Sequence, residues 1–138
     1  MHGIGRLGAG NMIRFVHCVK RRADVPLEDF RAFWGGREFN RLLEELALVT
    51  GALRFSTSLT LNVEVNIQLM AERNSGEPFD AMVEIWWERA RELTDLATSP
   101  EVRRLQADME ACQEPYIDFQ RSRRFFTDWE EPSAESGF

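Results

Sequence analysis

Residues 79–109, FDAMVEIWWERARELTDLATSPEVRRLQADM, constrain the fold more than any other stretch, because the apolar period inside them changes from a strand's to a helix's. Ala81-Met82-Val83-Glu84-Ile85-Trp86-Trp87 has the β-branched and aromatic content of a buried strand, with Glu84 as its one charge. After Glu88 the apolar residues Ala90, Leu93 and Leu96 recur about three apart, which predicts a short helix. Ser99-Pro100-Glu101 then supplies a side-chain cap, a proline for the first helical position and an acid in the first turn. The helix it opens carries the stripe Val102, Leu105, Met109 and Cys112. A carboxylate in the middle of a buried strand must be paired, neutralised or used, so Glu84 is the first candidate for chemistry.

Upstream, residues 12–20 (MIRFVHCVK) read as the first strand. Ile13, Phe15, His17 and Val19 share one face; Arg14, Val16, Cys18 and Lys20 share the other. Both faces carry apolar groups, so both are expected to be covered. A helix is expected from about Pro26, with Asp24 as its cap and Glu28 and Asp29 in its first turn. Its apolar face begins as Leu27, Phe30, Phe33 and Trp34. After Gly35-Gly36 the face becomes Phe39, Leu42, Leu43 and Leu46, nearly opposite if the helix stays straight at about 100° per residue. One straight helix cannot bury both sets, so a break or kink is predicted at the glycine pair. If the first segment ran on, Arg37 and Glu38 would project inward at that kink.

From Leu53 to Leu69 the chain alternates: Leu53, Phe55, Leu59, Leu61, Val63, Val65, Ile67 and Leu69 occupy odd positions, with polar residues between them. Period 2 predicts strand. Fully extended, the run would span roughly 55 Å, far more than a typical strand. It must therefore bend at a bulge, turn near Asn62 or reach onto a second subunit. A loop follows over residues 72–78, and a last strand lies within 117–129. The order β-α-β-β-α-α-β fits an α+β fold, a ferredoxin-like four-stranded antiparallel sheet with helices on one face. The other face would be partly apolar, and a homodimer packing sheet on sheet, a dimeric α+β barrel, would cover it.

At 138 residues the chain is one domain, read here as 12–131 between a disordered leader (1–11) and a polar tail (132–138). Gly3-Ile4-Gly5-Arg6-Leu7-Gly8 matches a dinucleotide-loop spacing, but no strand precedes it and a strand, not a helix, follows. A net charge of −6 argues against a nucleic-acid partner. No apolar run approaches the roughly 20 residues of a membrane span, and residues 1–11 do not read as a secretory signal. Cys18 and Cys112 sit in apolar patterns, as small core residues of a reducing compartment do, so the expected location is cytoplasmic. The histidines and cysteines supply no metal site, and no nucleophile-elbow or P-loop spacing occurs.

His17, the only histidine outside the leader, is either a core residue with one satisfied nitrogen or a general base or proton shuttle. In the second case partial burial would lower its pKa below about 6.5. Glu84 is either paired with Arg14 or Arg54, or a carboxylate with a raised pKa fit for proton transfer. Arg37 and Glu38 are exposed helix residues or line the kink. Trp34, Trp86, Trp87 and Tyr116 form plain core or an aromatic pocket.

MIRFVHCVKRRADVPLEDFRAFW resembles the opening strand and helix of the EthD domain, a dimeric α+β-barrel family, and FDAMVEIWWERARELTDLATSPEVRRLQADME resembles its second half. The resemblance covers roughly residues 12–131. It implies a small hydrophobic pocket, a link to bacterial ether degradation, and kinship with cofactor-independent monooxygenases, dehydratases and isomerases. Where the family carries arginine-x-histidine followed by proline at the kink, this chain has Gly36-Arg37-Glu38-Phe39-Asn40, with Glu38 at the histidine position.

The expectation is a small homodimer that takes an aromatic or cyclic small molecule in an apolar pocket without metal or organic cofactor. Proton abstraction next to a carbonyl or phenol would lead to oxygenation, dehydration or isomerisation. His17 would be base or shuttle and Glu84 and Glu38 its helpers; Trp34, Arg37, Trp86 and Tyr116 would hold the substrate. The alternatives are a non-catalytic ligand-binding or accessory subunit of a catabolic pathway, and a haem-handling relative of the barrel with only His17 as axial ligand.

Overall fold

The structure, a computed structural model, describes residues 12–91, 93, 94 and 98–130. The glycine-rich leader, Leu96 and the polar tail lie outside the described residues. The elements are β1 (Met12–Val19), α1 (Leu27–Trp34), α2 (Arg37–Val49), β2 (Arg54–Leu59), α3 (Glu64–Glu72), β3 (Ala81–Trp87), α4 (Pro100–Gln113) and β4 (Arg123–Trp129). A 3₁₀ turn, Phe119–Arg121, precedes β4.

The four strands form one sheet in the order β2-β3-β1-β4, with every neighbouring pair antiparallel. The first and third strands in sequence are central, and each is followed by helices before an edge strand, so the molecule is two interlocked β-α-β halves. Directly opposed residues share a face. Phe15, His17 and Val19 therefore lie on the same face as Ala81, Val83, Ile85 and Trp87. Val19, Phe30, Trp34, Phe39, Leu43, Ala81, Val83, Ile85, Trp87 and Ile117 make one buried cluster between this face and the helices.

The break at the glycine pair is present. Gly35 closes α1 and Gly36 opens α2, so Phe30 and Trp34 from one helix and Phe39 and Leu43 from the next reach the same core. Asn40 holds the break: its Nδ2 donates to the carbonyls of Trp34 at 3.0 Å and Gly36 at 2.8 Å. The first is a carbonyl freed at the end of α1; the second is the N-cap carbonyl of α2, which also accepts from the Asn40 amide at 3.3 Å. The cap expected from Asp24 is not made. Pro26 occupies the N-cap position without a side-chain bond, and the Asp24 carboxylate instead accepts from Arg22. Ser99 does cap α4, accepting from the Val102 amide at 3.3 Å. Of the short helix expected after Glu88, Leu93 and Thr94 are helical, and Leu93 packs on the core.

The alternating run divides. Only Arg54–Leu59 is strand; the chain turns through residues 60–63 and continues as α3, so a helix stands where the second half of the alternating run was expected to be strand. The tertiary reason is the partner. Leu59 pairs with Ala81, the first residue of β3, and beyond it no strand is left to receive hydrogen bonds. Without a ladder the backbone must satisfy itself, and a helix does so internally. At 100° per residue, apolar groups two apart fall on opposite sides, so α3 has no apolar stripe and buries none of its residues.

Candidate functional site

A cavity of about 610 Å³ lies between the helix-covered face of the sheet and the pair α2 and α4. Each wall follows from a local period. Helix α2 contributes Phe39, Leu43 and Leu46, one side of a helix. Helix α4 contributes Gln106, Met109, Glu110 and Gln113, a stripe beside its buried Val102 and Leu105. The floor is Phe15 and His17 from β1, Val83 and Ile85 from β3, and Arg124 and Phe126 from β4.

His17 is only 6% exposed, and among the described residues its ring makes no hydrogen bond. Its ring faces Phe15 at 6.4 Å between centroids. Burial, and then the charge of Arg124 directly opposite it across β1 and β4, lower its pKa to about 4. At neutral pH it is therefore an uncharged imidazole with a lone pair to offer. Gln113, 7% exposed, is the second buried polar side chain in the lining, and its amide likewise makes no hydrogen bond among the described residues. Ser122 is already engaged: its Oγ accepts from the Lys20 amide and donates to the Asp118 carbonyl, both at 2.8 Å.

The other sequence candidates lie elsewhere. Glu84 pairs with Val16 in the β1–β3 register, so it stands on the opposite face of the sheet from His17. There it meets Arg14 at 2.8 Å, one of its two expected partners. Its lateral neighbours are aromatic: Arg14 covers Trp129, Arg54 covers Trp86, and Trp86 meets Trp129 edge-on at 5.8 Å. Trp86 is thus buried beneath guanidinium groups on the open face, away from the cavity. Trp87, on the helix side, donates from Nε1 to Thr50 Oγ1 at 3.0 Å. Arg37 and Glu38 are exposed rather than directed inward, because Phe39 takes the buried position at the start of α2. The charge of Glu38 acts on Cys112 instead, helping burial raise that thiol's pKa. Trp34 packs between Phe30 and Phe39 in the core, and Tyr116 stacks on Phe33 at 4.2 Å. Of the seven candidates only His17 lines the cavity.

Arg124 and Gln113 were not singled out by sequence reasoning. Gln113 continues the α4 stripe one turn past Met109, a signal that was available. Arg124 sits in Arg123-Arg124-Phe125-Phe126, where two polar residues precede two aromatic ones and no alternation reveals a face.

No family model and no curated protein matches the chain. Solved structures do. A dimeric protein of unknown function from Bacteroides fragilis, described as having a ferredoxin-like fold, superposes with a TM-score of 0.56 at 15% identity, covering 86% of this chain and 96% of its own. The fold is ferredoxin-like. A dimeric ferredoxin-like protein from Thermobifida fusca gives 0.54 at 12% identity, covering 86% of this chain and 92% of that one. An EthD (ethyl tert-butyl ether) family protein from Bacillus halodurans gives 0.57 at 11%, covering 88% and 99%. The ferredoxin-like fold expected from the sequence is therefore the fold observed, and the EthD-family protein is one of the structures similar to it. Among the described residues no helix is long and apolar enough to cross a membrane.

Proposed function

We propose that this protein binds a hydrophobic, aromatic or cyclic small molecule in the cavity above His17 and removes a proton from it without metal or organic cofactor. The observation that carries the reading is His17 itself: a buried imidazole with no hydrogen-bond partner among the described residues, neutral at pH 7, on the floor of a cavity large enough for a fused two-ring compound. The EthD-family neighbour supports a small-molecule site of this type. The working assembly is a cytoplasmic homodimer that covers the Arg14–Glu84–Trp86 face with a second copy, as the dimeric description of two neighbours supports.

Exchange of the activated C1 protons of 2-tetralone in D₂O, followed by proton NMR, tests the chemistry. The wild type should accelerate it about 10²–10⁴-fold over buffer, and His17→Phe should not. No acceleration by folded wild-type protein sinks the catalytic reading. A second reading, a non-catalytic binding subunit, draws on one specific observation: Glu84 and Glu38 both lie away from His17, so neither orients the imidazole. That reading stands if 2-tetralone shifts the His17 ring resonances while exchange stays at the buffer rate.

A further inference from the structure

The cavity holds more than a base. Arg124 lies across the β1–β4 ladder from His17, on the same face of the sheet and in the lining of the same cavity. The chain carries 23 acidic and 17 basic side chains, and Arg14, Arg22, Arg41, Arg104 and Arg121 each have a carboxylate within 4.0 Å. Arg124 makes no such pair among the described residues. Arg124 is exposed to water and needs no counter-ion to be stable; what matters is that an unengaged guanidinium lines the cavity beside a neutral imidazole, where an anionic group of a ligand can reach it.

The neutral groups around it agree. The Gln113 amide, buried and without a partner among the described residues, can donate to an oxygen, and Gln106 offers a second amide from the exposed side of α4. The rest of the wall is apolar: Phe15, Phe39, Leu43, Val83, Ile85 and Phe126. Glu110 is the one carboxylate in the lining, and it is exposed to water on α4. The charge felt at His17 is that of Arg124.

Resting on the reading of this cavity as a ligand site, we propose that its ligand is an apolar ring system bearing one ionised oxygen. That oxygen, a carboxylate, phenolate or enolate, pairs with Arg124 and accepts from Gln113, while the rings lie against the phenylalanines. In the catalytic reading the same guanidinium would stabilise the anion that forms when His17 takes the proton. In the binding reading it would select acidic guests outright.

Three probes of equal shape separate these ideas: 2-naphthoate, 2-naphthalenemethanol and 2-naphthylmethylamine, titrated against the full chain at pH 7 with His17 and Arg124 side-chain resonances as the readout. The expected order is anion, then alcohol, then amine, with roughly a 10- to 100-fold preference for the anion over the alcohol. Arg124→Met should abolish that preference, bringing the anion down to the level of the alcohol, and Arg124→Lys should restore part of it. Equal binding of anion and alcohol by the wild type, or a preference that survives in Arg124→Met, overturns the proposal while the cavity remains a ligand site. If none of the probes shifts His17, the ligand-site reading itself falls, and this proposal with it. The wild-type comparison alone decides the matter should a variant fail to fold.

Discussion

An imidazole in water takes up a proton near pH 6.5; His17 resists until about 4, because its cation would be buried beside Arg124. Between those values the unfolded chain binds more protons than the folded one, so stability rises with pH. The contribution is fully present above about 6.5 and is lost as pH falls through the window to 4, up to about 3 kcal/mol. Urea unfolding at pH 4, 5, 6 and 7 should show this slope, and His17→Phe should flatten it; an unchanged slope in the variant would mean that another group is responsible. The two glycines at the helix break differ at the same scale. Neither has a positive φ. A Cβ at Gly36 would sit 3.1 Å from the carbonyl oxygens of Ala32 and Phe33, whereas one at Gly35 meets only Arg31 O at 3.6 Å. Gly36→Ala is therefore expected to cost about 1–3 kcal/mol, while Gly35→Ala should be neutral or stabilise by up to about 1 kcal/mol. Thermal melts of the two single variants check this, and equal melting temperatures would contradict it. The sequence placed the break at the glycine pair; close approach singles out Gly36.

At the scale of elements, α3 is the segment whose pattern and structure disagree. Val65, Ile67 and Leu69 are 59%, 56% and 57% exposed, and only Asn66 and Met70 of this helix are half-buried, so it is the most weakly anchored of the described helices. Its turn is tied locally, by Asn66 Nδ2 donating to the Leu61 carbonyl at 2.7 Å. In the monomer, amide hydrogen exchange should be fastest here and slowest in β1 and β3, since local opening costs least where burial is least. Protection of α3 equal to that of the central strands would show that it is held by contacts beyond those within one subunit. Contrast α4, where Ser99, Pro100 and an apolar stripe all favour the same helix. Consistent local signals gave a correct start there, while in residues 53–69 the period of the pattern was a strand's but the partner strand ended.

For the whole molecule, the sheet's open face is the unresolved contact of the fold. It combines Val16, Cys18, Met82 and Trp86 with Arg14, Glu84 and the exposed Ser56 and Ser58 of the β2 edge. Among the described residues, Trp86 Nε1 is buried on this face without a hydrogen-bond partner. We expect a two-fold dimer burying more than about 1,200 Å² through it. Sedimentation should give a dimer at micromolar concentration, and Ser58→Arg, which adds a charge to the face without disturbing core packing, should shift it toward monomer. A wild-type monomer in that range would remove the dimer from the proposed function. His17→Phe should leave the association unchanged, because His17 lies on the other side of the sheet.

What the sequence determined by itself is the set of local decisions. The strand character of β1 and β3, the helix break at Gly35-Gly36 and the capped start of α4 follow from periods of 2 and 3.6 and from the chemistry of proline, glycine and serine. Those effects act over a few residues and need no partner. The tertiary structure decided everything that depends on register between distant strands. Parity within β1 separates His17 from Cys18, but only pairing with β3 shows that Glu84 goes with Val16 and not with His17. Only pairing with β4 sets Arg124 opposite the imidazole, and only the start of β3 at Ala81 ends β2 at Leu59. The cavity belongs to this second group, because its walls come from α2, α4 and three strands whose spacing no single segment encodes.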